Sequence, residues 1–337
     1  MKRLMQYRIA STLALAALLV GMTALRRGPD DGEALKADLF WAQKLTWHQS
    51  ATCVIAGDSR ACRALVPNVL DKTQSQRRTL NFAFDSSGYS AAYLNAIEAV
   101  LAPHASERTV LLGITPYSLT PAALATNEFE YRRNWMPFQS ITGLYAKQSL
   151  RYVHPLRVDK AYDELITATP KAATQAERDR EFHDDGWLAM NRYDGREDVY
   201  AEHYRASFEG NTVDSEIVEQ LLIYVRDWRE KGIRVIAFRP PVSEVILSIE
   251  NENSGFDESA FRAAFEAAGG RWIEIEPTRY VTYDGSHVGR EEAERFTANL
   301  AKNLASSPNE RVFADSSPSC VQELGQIPAP PTRGDEP

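Results

Sequence analysis

The sequence predicts an α/β fold: a three-layer α/β/α sandwich on a central parallel sheet, with a largely helical insertion after the third strand. Three observations lead there. Short apolar, β-branched runs at 51–56, 109–114 and 233–238 lack the polar alternation of a half-exposed strand, as expected for strands buried on both faces. Turns followed by segments of helical period separate the strands, and strand–helix alternation is the signature of parallel pairing through crossovers. The chain has 337 residues, of which 44% are hydrophobic, enough to bury a sizeable core.

Taken in order, Lys2, Arg3 and Arg8 precede an apolar stretch at 9–25, and Arg26-Arg27 close it. The stretch is just long enough to span a bilayer, and Met22-Thr23-Ala24-Leu25 is a poor match to the small residues of a cleavage site. Residues 1–30 therefore read as an uncleaved signal anchor with its N-terminus in the cytoplasm, which places a single-pass protein with its body in the periplasm or otherwise outside the cytoplasm. Residues 31–50 read as a juxtamembrane helix with Leu39, Phe40, Leu45 and Trp47 on a broad apolar face.

The folded body is expected over 51–305. A first strand at 51–56 runs into Gly57-Asp58-Ser59, and helical spacing follows over 60–70 through Leu65, Val66, Val69 and Leu70. A second strand at 79–84 leads through Ser87-Gly88 into a helix carrying Tyr89, Tyr93, Ile97 and Val100, and 109–114 is the third strand. Regular alternation stops over 120–213, which is assigned to the insertion. Asp214 then caps a helix with Ile217, Leu221, Tyr224 and Trp228, which stops at Lys231-Gly232 ahead of the fourth strand at 233–238. Asp257 starts another amphipathic helix, a fifth strand is expected at 271–275, and a last helix follows Gly289. Residues 306–337, rich in Pro and Ser, read as a disordered tail.

Ligand and catalytic sites of parallel sheets lie at the carboxyl ends of the strands. Ser59 stands there, on a strand-to-helix turn that exposes its hydroxyl and aims its own N–H where an oxyanion would develop. A serine needs a base within hydrogen-bond reach, itself oriented by a third group. Asp284-Gly285-Ser286-His287 can supply both, with Asp284 fixing the tautomer of His287. Arg60 and Arg239, near the ends of the first and fourth strands, are candidates for binding an anionic substrate, and solvated or turn-forming roles stand beside that reading. Arg132, Arg133 and Trp135 in the insertion are candidates for a glycan cleft, against packing as the plainer role of a tryptophan.

Gly57-Asp58-Ser59 early in the body, Asp284-x-x-His287 near its end and a glycine turn after the second strand together resemble the SGNH superfamily, the GDSL esterases and lipases. The resemblance extends over roughly 50–305 apart from the insertion. It implies that Ser59 is the nucleophile, that Asp284 and His287 complete a triad, and that Gly88 adds a backbone donor to the oxyanion hole. One position departs: where the family usually has an oxyanion-binding asparagine, this chain reads Gly113-Ile114-Thr115-Pro116, so Thr115 is the third donor candidate. This departure, the anchor and Asp185-Gly186-Trp187 resemble a membrane-anchored branch of bacterial envelope proteins. That branch includes proteins that O-acetylate exopolysaccharide or assist D-alanylation of teichoic acid.

The resemblance implies a serine esterase or O-acyltransferase acting on an acylated envelope glycan or small ester, working with a membrane-bound acyltransferase. The alternative is a catalytically impaired relative that serves as a binding or assembly factor for polysaccharide modification. A flavodoxin-like nucleotide binder is disfavoured because no glycine-rich phosphate loop follows the first strand. A net charge of −8 gives no footprint for nucleic acid. His48, His104, His154, His183 and His203 show no ligand spacing, so no metal is indicated, and the chemistry needs no cofactor. Three cysteines imply no disulfide framework.

Overall fold

The computed structural model describes residues 11–12, 14–15, 31–73, 77–136, 141–145, 179–191 and 197–305. Nearly all of the expected signal anchor and the whole expected tail lie outside these residues, as does much of the insertion. Among the described residues no helix is long and apolar enough to cross a membrane.

Helix α1 (Asp31–Thr46) precedes β1 (Cys53–Gly57), α2 (Ser59–Ala64), α3 (Pro67–Asp71), β2 (Thr79–Asn81), α4 (Ala91–Val100) and β3 (Arg108–Gly113). The insertion contributes α5 (Pro121–Ala125), α6 (Glu128–Trp135), an antiparallel hairpin of β4 (Arg180–Phe182) and β5 (Leu188–Met190), and α7 (Glu197–Ser207). Then follow α8 (Ser215–Glu230), β6 (Ile233–Phe238), α9 (Glu244–Asn253), α10 (Glu258–Ala267), β7 (Arg271–Trp272) and α11 (Arg290–Ala305).

Five strands form one all-parallel sheet in the order β2-β1-β3-β6-β7. Val54, Ile55 and Ala56 in β1 and Val110, Leu111 and Leu112 in β3 are fully buried, which is why those runs read as continuously apolar. Helix α11 contacts both α2 and α3, and α8 contacts both α4 and α10, so two helix groups flank the sheet. From β1 the chain steps outward to β2 and returns past β1 to β3, so the connections leave β1 and β3 in opposite directions. The carboxyl ends of those two strands are the general ligand position in such sheets.

Several elements differ from expectation for local reasons. The helix expected over 60–70 is broken, because Pro67 disfavours helical backbone at Val66; α2 ends at Ala64, α3 restarts at Pro67, and the freed Val66 N–H donates to Thr297 Oγ1 at 3.0 Å. Strand β2 stops at Asn81, whose amide turns inward to donate to the carbonyls of Ala61, Cys62 and Leu65. The hairpin is an addition to the largely helical insertion that the sequence suggested. It folds back on the domain: Asn81 N–H donates to Asp185 O at 2.8 Å, and Trp187 Nε1 donates to Arg63 O at 2.9 Å. Helix α9 is not anticipated at all.

Helix α1 belongs to the domain. Phe40 and Trp41 are buried, and Lys44 is fully enclosed, its ammonium donating to Ala83 O at 2.7 Å and lying 4.7, 4.9 and 5.4 Å from the ring centres of Phe40, Trp41 and Phe84. Burial pulls the Lys44 pKa down, and the carbonyl and the rings partly replace its lost hydration.

Candidate active site

Ser59 is the first residue of α2, directly beyond β1. The turn is tight because Gly57 takes φ +144°, and a Cβ there would meet Ala61 Cβ at 2.8 Å and Gly113 O at 2.9 Å. Tyr93 locks it from below: its hydroxyl accepts from Gly57 N–H at 3.1 Å and lies 2.8 Å from Phe82 O. Asp58 caps α2, accepting from Arg60 N–H at 3.0 Å. Arg63 Nη1 donates back to Ser59 O at 3.3 Å and pairs with Asp85 at 3.4 Å.

His287 arrives from 228 residues away in sequence. Ser59 Oγ and His287 Nε2 are 2.8 Å apart, and His287 Nδ1 is 2.8 Å from Asp284 Oδ2. The segment between the acid and the base is a closed turn. Thr282 bridges Val288, Tyr283 N–H donates to His287 O at 2.8 Å, and Gly285 takes φ +90°. Asp284 Oδ1 accepts the N–H groups of Ser286 and His287 at 2.9 and 2.8 Å. Burial pushes the Asp284 pKa up, but the charge and hydrogen bond of His287, together with the two N–H groups, outweigh it and hold the carboxyl at about 2. An ionised Asp284 draws the imidazole proton to Nδ1, which leaves Nε2 as the acceptor for the Ser59 hydroxyl. Tyr283 stacks on the imidazole at 5.9 Å between ring centres, which restricts ring rotation.

The other sequence-derived candidates fall in different places. Gly88 lies at the same sheet edge, because the hydroxyl of adjacent Tyr89 donates to Gly113 O at 3.0 Å and Gly113 is the register partner of Gly57. No acceptor among the described residues engages the N–H of Ser59 or of Gly88. Thr115 is fully buried, and its Oγ1 donates to Asp58 Oδ2 at 2.6 Å, so its only hydroxyl proton braces the turn before Ser59 and is not directed at an oxyanion. Arg60 and Arg239 meet in an ion network. Arg60 pairs with Glu250 Oε1, Arg239 Nη2 lies 2.9 Å from Glu250 Oε2, and Arg239 Nη1 lies 2.6 Å from Glu258 Oε2. With both guanidiniums buried and paired, neither presents a free charge to a substrate.

Glu250 is the functional neighbour that sequence reasoning missed. Its signal was the Ser243 cap followed by Ile246 and Ile249 at helical spacing, which marks α9. Ser286 was also missed; its Oγ lies 2.9 Å from His287 Nδ1 and 3.3 Å from Asp284 Oδ1, inside the acid–base pair. Of the insertion candidates, Trp135 is 60% exposed, whereas Arg132 pairs with Glu128 at 2.6 Å and covers the Trp41 ring.

Comparison with protein-family models, curated proteins and solved structures yields no match for this chain.

Proposed function

We propose that the protein is a membrane-anchored serine esterase or O-acyltransferase of the SGNH type, with its body outside the cytoplasm, that moves an acyl group to or from an envelope glycan. The observation that carries this reading is the unbroken line Ser59 Oγ to His287 Nε2 and His287 Nδ1 to Asp284, with 2.8 Å at each contact. The order of residues, the nucleophile turn at the end of β1 and the open N–H groups of Ser59 and Gly88 agree with it.

In the first half-reaction Ser59 Oγ attacks the ester carbonyl as its proton passes to His287 Nε2, and the oxyanion forms against the N–H groups of Ser59 and Gly88. Collapse breaks the ester C–O bond, and His287 returns the proton to the departing alkoxide oxygen. In the second half-reaction water or a sugar hydroxyl gives its proton to His287 as its oxygen attacks acyl-Ser59; the C–Oγ bond breaks and Ser59 recovers the proton. Asp284 remains ionised throughout and stabilises the imidazolium. A membrane-bound acyltransferase that supplies the acyl group is the partner consistent with this reading.

The test is release of p-nitrophenol from p-nitrophenyl acetate by the purified full-length chain in detergent. Turnover is expected in the wild type, with loss of about 10⁶-fold in kcat for Ser59→Ala. Turnover that survives the substitution removes Ser59 from the chemistry. A non-catalytic binding or assembly factor is the second reading, favoured by the commitment of the Thr115 hydroxyl to Asp58, which leaves the proposed oxyanion hole with backbone donors alone.

A further inference from the structure

Asn127 stands immediately before α6, 39 residues beyond Gly88, and is 3% exposed. Its Oδ1 caps α6, accepting from Phe129 N–H at 3.1 Å and Glu130 N–H at 3.4 Å, and the Ser87 hydroxyl approaches it at 3.4 Å. The other half of the amide points out of the helix: Nδ2 donates to Gly88 O at 2.9 Å and lies 3.5 Å from Ser90 Oγ. Capping alone does not call for an amide, because serine or aspartate caps equally well. What asparagine adds is a donor beyond the cap, and that donor closes on Gly88.

The peptide on which it closes is restrained from other sides by the same region. Tyr89 N–H donates to Ser118 O at 3.3 Å, and Ser90 N–H donates to Gly88 O at 3.0 Å. A Cβ on Gly88 would meet Leu124 Cδ2 at 2.9 Å and Ala123 C at 3.0 Å, so the loop lies flat against α5. Holding Gly88 O fixes the plane of the peptide that follows Gly88, and with it the position of Gly88 Cα, to which the Gly88 nitrogen is bonded. That N–H has no acceptor among the described residues.

We propose that Asn127 is a positioning residue for the oxyanion hole: through Gly88 O it holds the Gly88 N–H in the orientation that receives the developing charge. The insertion thus helps to build the catalytic apparatus that the strand ends only begin. This rests on the serine-esterase reading. Preorganised donors act because they need not reorient during the reaction, and a misplacement of about 1 Å can cost roughly 100-fold in rate.

The test is Asn127→Ser in the full-length chain. Serine keeps an N-cap oxygen but is too short to reach Gly88 O. Asp257→Ala, which removes the cap of α10 (Asp257 Oδ1 to Ala260 N–H, 2.9 Å), serves as the comparison for a cap lost elsewhere. With p-nitrophenyl acetate, Asn127→Ser should lower kcat about 30-fold with KM changed by less than about twofold, and should slow fluorophosphonate labelling of Ser59 by a similar factor. Asp257→Ala should leave both rates unchanged. Wild-type kcat in Asn127→Ser, or an equal loss in Asp257→Ala, overturns the proposal. A wild-type chain that the fluorophosphonate does not label overturns the esterase reading itself, and the positioning role falls with it.

Discussion

Asp284 and Glu250 are both buried carboxylates beside the Ser59 turn, one reaching it through His287 and the other through Arg60. Asp284 faces an imidazole whose far nitrogen is 2.8 Å from a hydroxyl. Glu250 faces two guanidiniums, one from Arg60, the residue after Ser59, and one from Arg239 at the end of β6. A guanidinium does not release its proton at any physiological pH, whereas an imidazole exchanges its proton near neutrality. A buried carboxylate therefore orients an imidazole in one place and cements a scaffold in the other, and the identity of its partner decides which.

Substitutions at the two carboxylates should separate these roles. Asp284→Asn should lower kcat on p-nitrophenyl acetate by about 10⁴-fold, because a neutral amide no longer enforces the productive tautomer. The same variant has a signature in stability. The Asp284 carboxyl sits at about 2 in the fold, against roughly 3.9 in an unfolded chain, so the folded state favours the ionised form. Its contribution, about 2–3 kcal/mol, is complete above pH 4 and is lost as pH falls toward 2. Acid titration of urea midpoints should show that slope in the wild type and lack it in Asp284→Asn. Equal slopes would mean that His287 and the two N–H groups do not hold the carboxyl in its ionised form.

Glu250→Gln should reverse the pattern. Removing one partner of a buried pair leaves Arg60 without its counter-charge, at a cost of roughly 3–5 kcal/mol read from denaturant midpoints. The kcat per folded molecule should stay within about tenfold of wild type, well short of the loss at Asp284. A rate loss as large as that of Asp284→Asn would place Glu250 in the chemistry.

Thr115→Val tests the smallest difference. It leaves Asp58 Oδ2 without its buried donor and should destabilise by about 1–3 kcal/mol. If the hydroxyl only braces the turn, kcat falls by less than about tenfold; a direct oxyanion donor would cost 100-fold or more.

What could be read from the chain follows how far apart the cooperating residues are. The strand, turn and helix around Ser59 are local, and the apolar run through Val54 and Ile55 announces them. The contact between Asp284 and His287 is also local, closed across the two intervening residues Gly285 and Ser286. The meeting of these two pieces spans 228 residues and was legible because a serine needs a base and because an early Gly-Asp-Ser with a late Asp-x-x-His resembles the SGNH pattern. Nothing local marks Glu250 as the partner of Arg60, 190 residues earlier, or Asn127 as the clamp on Gly88. Those contacts depend on how α9 and the insertion fold back. Arg60 and Arg239 read as candidates for substrate because a sequence shows a charge without its counter-charge.

Lys44 gives the N-terminal helix a mechanical meaning. To peel α1 away, the Lys44 ammonium would have to leave the Phe84 ring, while Phe40 and Trp41 travel with it on the same helix, and Ala83 O would lose its donor. Through Lys44, α1 is tied to the Ala83 backbone and, by the 3.5 Å contact with Cys62, to the short helix that begins at Ser59.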